Sequence, residues 1–127
     1  MISRKISDHM TQLPHTIGEG ATLKKAREMM MEFSTHHLPV LSGGAVVGML
    51  SDRDMQMIKN LSDEEHVLVR EIMTDEPFMV DHSADLKDVL TEMHKRGYHS
   101  AIVKGTSHDS WGIFTASDAV KLLAQTL

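Results

Sequence analysis

The chain has 127 residues, of which 41% are hydrophobic and 24% charged, with a formal net charge of -5 at pH 7. This balance is typical of a folded globular domain and excludes an intrinsically disordered chain. No apolar run approaches the roughly 18 residues of a membrane-spanning helix, and the amino terminus has charges at Arg4, Lys5 and Asp8 but no apolar signal core. The absence of cysteine excludes disulfides, thiolate metal sites and a cysteine nucleophile. We therefore expect a cytoplasmic protein with no membrane partner.

The basic residues are too scattered to predict a nucleic-acid surface. The longest basic runs are pairs, at Arg4-Lys5, Lys24-Lys25 and Lys95-Arg96. Binding to a phosphate backbone needs a concentrated basic patch, so no nucleic-acid partner is expected.

The first half of the chain predicts two helices around a hairpin. The segment from Met10 to Pro14 is predicted to be a turn, because proline disfavours helix at the residue before it. A helix is predicted by the spacing of Leu23, Ala26, Met29, Met30 and Phe33. Two short apolar runs, 37–41 and 45–50, flank Gly43-Gly44 and predict a hairpin. Ser51 or Asp52 is expected to cap the next helix.

The second half predicts the same order of elements. A Ser-x-x-Glu capping box at Ser62 is expected to start a linker helix. A helix through Leu86 to Met93 then ends at Gly97, and strands follow at 99–104 and 111–115. Ser117-Asp118 is expected to open the last helix.

The two halves also match residue by residue. The residues Met10, Thr11, Pro14, Ile17, Ala21, Leu23, Met30, His36 and Val40 recur 63 positions later as identical or similar residues, and Gly48 recurs 64 positions later as Gly112. Half of this chain would be marginally stable alone, so we expect the repeats to share one core. We predict an α/β (α+β) fold of two pseudo-symmetric β-α-β-β-α repeats packed as one module. Repeat 1 covers 4–60, a linker helix 61–70 and repeat 2 71–126.

Each repeat ends in a glycine, two apolar residues, a hydroxyl residue and, three positions later, an aspartate. The two copies run from Gly48 to Asp54 and from Gly112 to Asp118. A hydroxyl followed by a helix start presents unpaired N–H groups and a positive helix dipole, which favour phosphate. The carboxylate can accept from two ribose hydroxyls, and the apolar residues can form a wall for a purine. The pattern predicts an adenosine nucleotide site, with a plain helix cap as the alternative.

The order of these motifs resembles the cystathionine beta-synthase (CBS) domain, which occurs in tandem pairs called Bateman modules. The resemblance rests on Met-Thr-x-x-Pro at Met10 and a looser copy at Met73, on the apolar strand at His37-Leu38-Pro39-Val40, and on the two Ser/Thr-x-x-Asp ends. It implies a stand-alone, non-catalytic regulatory module that senses adenosine nucleotides, a form of energy sensing, and acts on an unknown protein target. It also implies a homodimer through helices of both repeats, with Ile58, Leu61, Val120 and Leu123 as candidate contacts.

The resemblance also implies two clefts between the repeats. In the cleft of the second motif, Thr115, Ser117 and His99 would meet phosphate, Asp118 the ribose, and Ile113, His15 and His36 the adenine. In the cleft of the first motif, the implied residues are Met49, Ser51, Arg53, Asp54, Phe78 and Val80, with His36 or His37 near phosphate.

The two clefts are not equivalent in charge. Arg53 offers a guanidinium to phosphate where its counterpart Ser117 does not, and Asp52 adds a charge that repels polyphosphates. AMP is therefore favoured over ATP as the ligand, and the cleft ending in Asp118 is favoured narrowly as the stronger one.

Other chemistry is weakly supported. The nine histidines are scattered, and the adjacent His36 and His37 would point to opposite faces of a strand, so no metal site is expected. No catalytic residue or catalytic cofactor is predicted. The alternatives are a structural dimerisation module whose clefts are empty or bind S-adenosylmethionine, and a small hydrolase-like enzyme using Ser51 or Thr115.

Overall fold

The chain is seen here in a computed structural model, which describes residues 2–12, 14–57, 64–106 and 111–127. It divides into two compact units. The first-repeat unit is His15–Pro77, and the second-repeat unit combines Met1–Pro14 with Phe78–Leu127. The boundaries of these units follow the strand pairing described below, and the predicted repeat ranges 4–60 and 71–126 stay a prediction.

The first-repeat unit has its strands in the order β2 (Ile17–Gly18), β3 (His37–Ser42), β4 (Ala45–Ser51) and β5 (Thr74–Asp75). Strand β2 is parallel to β3 and the other pairs are antiparallel. Its turn residues Gly43 and Gly44 have φ of 58° and 84°, the left-handed conformation that a tight hairpin needs. The predicted hairpin is confirmed. The elements are β2 (Ile17–Gly18), α1 (Leu23–Glu32), β3 (His37–Ser42), β4 (Ala45–Ser51), α2 (Asp52–Gln56), α3 (Val69–Ile72) and β5 (Thr74–Asp75).

The second-repeat unit has the corresponding order β1-β8-β7-β6. Gly97, at φ 71°, ends its first long helix, as predicted. The elements are a 3-10 helix (Ile6–Asp8), β1 (Thr11–Gln12), β6 (Met79–Asp81), α4 (Leu86–Arg96), β7 (Ser100–Lys104), β8 (Gly112–Thr115) and α5 (Ala116–Thr126). The β-α-β-β-α order is therefore present in both units, and the predicted fold class is confirmed.

One of the two edge strands of each sheet comes from the segment before the other repeat. Strand β1 pairs antiparallel with β8, and β5 pairs antiparallel with β4. Thr11 is therefore in a strand, and the prediction of a turn from Met10 to Pro14 was wrong at this position. A strand of two residues has no periodicity of its own, and its partner lies about a hundred residues away.

Each unit has its own hydrophobic core, in which the helices pack on the sheet. The first-repeat core contains Ile17, Leu23, Ala26, Met30, Leu38, Val40, Leu50, Met55 and Val69. The second-repeat core contains Ile6, Leu86, Val89, Met93, Ala101, Val103 and Phe114.

The amino-terminal segment is tied to the start of α4 by charge as well as by the core residue Ile6. Arg4 donates from Nε and Nη2 to the two carboxylate oxygens of Asp85, both at 2.9 Å. The hydrogen bond from the guanidinium lowers the pKa of Asp85 below its ordinary value. This ion pair therefore holds the segment most strongly above the unfolded pKa of Asp85, and its contribution is lost as pH falls through the lowered folded pKa.

The predicted linker helix differs from the structure in the part that is described. Residues 58–63, including Ser62 of the predicted capping box, lie outside the described residues. A turn at 64–66 is followed by a helix only at Val69–Ile72, where Leu68 N donates to Glu71 Oε2 at 2.7 Å. The apolar residues that predicted a longer helix include Val69, which is buried in the first-repeat core.

Candidate functional site

The end of β8 and the start of α5 form a closed capping box. Asp118 N donates to Thr115 Oγ1 at 3.3 Å, and Thr115 N donates to Asp118 Oδ2 at 2.8 Å. The Thr115 hydroxyl also donates to Asp118 Oδ2, at 3.1 Å. The hydroxyl and the aspartate of the motif therefore hold the turn in place, as the alternative of a plain cap requires.

The first motif forms the same box. Asp54 N donates to Ser51 Oγ at 3.1 Å, and Ser51 N donates to Asp54 Oδ2 at 3.0 Å. The helix that follows, α2, has five residues, whereas α5 has eleven. The two motifs are thus alike in their bonds and unlike in the helix that each one starts.

The expectation of unpaired N–H groups at these helix starts needs correction. The first helical amide of α5, Ala116 N, donates to the His99 carbonyl at 2.9 Å, and Asp52 N of α2 donates to the His36 carbonyl at 3.0 Å. The third amide of each helix is taken by the capping box. In the described part of the chain, this leaves the second amide of α5, that of Ser117, as the one of its first three that is open to a phosphate.

The carboxylates of the boxes keep one oxygen for a ligand. Both bonds to Asp118 use Oδ2, and no bond to Oδ1 is formed by the described residues. An ionised carboxylate has about four lone-pair positions, so a ribose diol can still be accepted. The structural role of Asp118 and a binding role are compatible.

The residue after each motif hydroxyl distinguishes the two units. His36 Nδ1 lies 2.8 Å from Asp52 Oδ2, whereas Ala116 occupies the position equivalent to Asp52. The pair lies in a groove of about 460 Å³. The Asp52 carboxylate, expected to repel polyphosphates, is therefore in contact with the His36 ring. The groove is lined by Arg27, Met30, Met31, Ser34, Thr35, His36, Asp52, Met55 and Gln56.

Two of the rings expected in the clefts, those of His15 and Phe78, stack on aromatic rings of their own unit. His15 stacks on Phe33 with ring centroids 3.7 Å apart, and Phe78 stacks on Tyr98 at 4.8 Å. His15 and Phe78 occupy equivalent positions in the two repeats. In each repeat, one face of this ring is therefore covered by an aromatic neighbour. The supporting roles of Phe33 and Tyr98 were not predicted, although Phe33 is the last residue of one predicted helix and Tyr98 follows the end of another.

The other predicted residues occupy a strand face or the surface. Ile113 and Met49 are equivalent, and both are 5% exposed. Strand alternation points Ile113 to the face opposite its neighbour Phe114, which belongs to the core. Val80 and His37 are half-buried, while Arg53, His99 and Ser117 are exposed.

Each predicted cleft draws on residues of both units. The first-repeat unit holds His15, His36, His37, Met49, Ser51, Arg53 and Asp54. The second-repeat unit holds Phe78, Val80, His99, Ile113, Thr115, Ser117 and Asp118. The structure brings Ser51 together with Asp54 and Thr115 with Asp118, and the pairing of residues across the units stays a prediction.

A second groove, of about 300 Å³, opens beside Asp118 within the second-repeat unit. It lies between the segment leading into β1 and one face of α5. Sequence reasoning singled out Thr11 only as a mark of the repeat and gave Lys121 no role, because their proximity to Asp118 follows from the pairing of β1 with β8. The lining residues are His9, Met10, Thr11, Asp118, Lys121, Leu122 and Gln125.

Two other features, a metal-binding cluster and a membrane-spanning helix, are absent from the described residues. Residues 2–12, 14–57, 64–106 and 111–127 contain no group of three or more His, Cys, Asp or Glu side chains placed to hold a metal ion. The same residues form no helix with the length and apolar character needed to cross a membrane.

Comparison with known proteins supports the resemblance noted in the sequence. The family model for the CBS domain matches residues 6–57 and again 69–125. An inosine-5′-monophosphate dehydrogenase of Thermoplasma acidophilum is 24% identical over 106 residues, covering 84% of this chain. That match covers 21% of the dehydrogenase, so the chain spans about a fifth of this relative.

Solved structures show the same fold. A putative acetoin utilization protein from Vibrio cholerae has a TM-score of 0.83 at 26% identity, covering 98% of this chain and 93% of that one. CBSX2, in complex with AMP, has a TM-score of 0.77 at 22% identity, covering 98% of both chains. A CBS domain pair in complex with 5′-methylthioadenosine and S-adenosyl-L-methionine has a TM-score of 0.82 at 18% identity, covering 97% and 98%. With two matches of the family model along its length, the chain belongs to the CBS domain family.

Proposed function

We propose that this chain is a non-catalytic regulatory module that binds an adenosine nucleotide, with AMP favoured. The observation that carries the proposal is the Asp118 carboxylate, which caps α5 through one oxygen and borders a groove with the other oxygen open among the described residues. The ligands in two of the similar structures, AMP in one and adenosyl compounds in the other, support this ligand class. Binding regulates by favouring one conformation or assembly of the chain over another.

The first test is ligand-dependent stabilisation of the whole chain. A ligand at 100 times its dissociation constant is expected to raise the free energy of unfolding by about 2.7 kcal/mol. The unfolding temperature should be measured with AMP, ADP, ATP and S-adenosylmethionine at millimolar concentration. No shift with any of them would refute the proposal, and a shift with S-adenosylmethionine alone would favour the alternative adenosyl ligand.

The second test assigns the site. Asp118→Asn keeps a side chain that can accept in the capping box but removes the charge, so AMP affinity is expected to fall about 10- to 100-fold. Isothermal titration calorimetry measures the affinity, and urea unfolding of the unliganded variant checks that the cap survives. Asp54→Asn is the matched variant in the other motif. Loss of affinity in that variant instead would place the stronger site at the first motif.

The enzyme alternative predicts a chemical change in the ligand. Mass spectrometry of AMP or ATP incubated with the chain would then find a product that disappears with Thr115→Ala or Ser51→Ala. We expect the nucleotide to be recovered unchanged.

We also propose a homodimer through the exposed face of α5. Val120 and Leu123 are 66% and 60% exposed, and Leu127 continues their stripe one turn later. The other candidates, Ile58 and Leu61, lie outside the described residues. Leu123→Glu is expected to convert dimer to monomer in sedimentation velocity, while Thr91→Glu, on the exposed surface of α4, leaves the assembly unchanged. A wild-type chain that is monomeric at micromolar concentration would contradict this proposal.

The cytoplasmic location and the protein target also belong to the proposal. The target would be the protein whose activity follows the conformation or assembly of this chain. Cell fractionation would test the location directly.

A further inference from the structure

The groove beside Asp118 is lined by a positively charged side chain, Lys121, which has no role in the predicted adenosine site. Lys121 lies on the same face of α5 as Asp118 and Gln125, at intervals of three and four residues, and all three line the groove. Among the described residues, the Lys121 ammonium has no ion-pair partner. Its charge is therefore available to a ligand that enters the groove.

The spacing of Asp118 and Lys121 on the helix lets one ligand contact both side chains. Residues three apart on a helix have Cβ atoms about 5–6 Å apart, so a ligand can reach both side chains at once. The hydroxyls and the 5′-phosphate lie on opposite sides of the ribose ring, so one ribose phosphate can meet the Asp118 carboxylate and the Lys121 ammonium together. A neutral nucleoside has no anionic group that can pair with the Lys121 ammonium.

The first-repeat unit lacks this lysine. Met57 occupies the position that corresponds to Lys121, and it is 79% exposed. The first motif has its cation at Arg53 instead, at the position of Ser117. The two units therefore offer positive charge at different places relative to their aspartates.

From this arrangement we infer that Lys121 is the residue that selects a phosphate-bearing nucleotide over a neutral nucleoside in the groove beside Asp118. The inference rests on the proposed function, because it assumes that Asp118 holds a ribose. The inference adds one requirement, which is that the ligand carries an anionic group at the 5′ position. Phosphate binding by an ammonium is a point-charge interaction and does not need a fixed hydrogen-bond geometry.

The experiment compares AMP with adenosine on the full chain by isothermal titration calorimetry. Lys121→Met, which installs the residue of the other repeat, is expected to weaken AMP binding about 5- to 20-fold and to change adenosine affinity less than about twofold. Lys121→Arg keeps the charge and should retain most of the preference. Lys95→Met, an equal loss of charge on the exposed surface of α4, should leave both affinities unchanged. The AMP preference should also shrink as salt is raised.

The outcomes separate this inference from the proposed function. If the wild-type chain binds neither AMP nor adenosine, the inference and the proposed function are both refuted. If it binds both, and Lys121→Met weakens both equally or neither, the inference is overturned while the adenosine site stands. A variant that loses AMP selectively and keeps its wild-type unfolding midpoint supports it.

Discussion

Replacing Phe114 with alanine is expected to lower the free energy of unfolding by about 3–5 kcal/mol. The ring is fully buried on β8, in the core formed with Ile6, Leu86 and Met93. Truncation loses the transfer free energy of the ring and leaves a cavity that the sheet cannot close by moving. Since small domains are stable by about 5–15 kcal/mol, this is a large share of the total.

Urea unfolding followed by circular dichroism measures the loss. Phe114→Leu keeps most of the buried volume and provides a graded variant if the alanine variant does not fold. The matched control is Phe33→Ala, because Phe33 is 37% exposed and its ring contacts His15. We expect the control to cost about 0.5–1.5 kcal/mol. Equal losses at the two positions would show that Phe114 is not the centre of the second-repeat core.

Replacing Gly112 with alanine is expected to lower the free energy of unfolding by roughly 1–3 kcal/mol. If the strain is larger, β1 is expected to detach from the sheet. A Cβ at this position would lie 2.6 Å from the Thr11 carbonyl oxygen and 2.7 Å from Met10 Sδ. The methionine can turn away, but the carbonyl belongs to the strand that pairs with β8. Because Thr11 lines the groove beside Asp118, AMP binding should weaken together with stability.

Gly18→Ala is the matched control, since a Cβ there meets nothing within 4 Å. Hydrogen exchange of the β1 amides would show whether the strand leaves the sheet. A second variant, Gly112→Ala with Met10→Ala, removes the flexible contact and should recover only part of the loss. Full recovery of stability would mean that the added Cβ clashes with the Met10 thioether and not with the Thr11 carbonyl oxygen.

The local features of the fold were predictable from the sequence because their signals lie within a few residues. The Gly43-Gly44 turn, the end of α4 at Gly97 and the cap at Ser51 each depend on the conformational preference of one or two residues. The periodicity of Leu23, Ala26 and Met30 likewise identifies the buried face of α1.

The features that were missed depend on contacts between distant segments. Strand β1 has two residues, and only its pairing with β8 defines it. The same pairing brings Thr11 to the groove with Lys121. The His36–Asp52 pair and the use of the first helical amides by histidine carbonyls depend on the loop before β3 or β7, whose path no residue pattern shows. These contacts decide which groups remain for a ligand.

The exchange of edge strands also orders the folding of the chain during synthesis. Every strand of the first-repeat unit lies between His15 and Pro77, so this unit can close while the rest is still being made. Strand β1 is made well before its partner β8, since Gln12 pairs with Gly112 across 100 positions. Until β8 has been made, Thr11 and Gln12 have no strand with which to pair. A ligand groove that includes Thr11 is therefore completed only after β8 and α5 have been made.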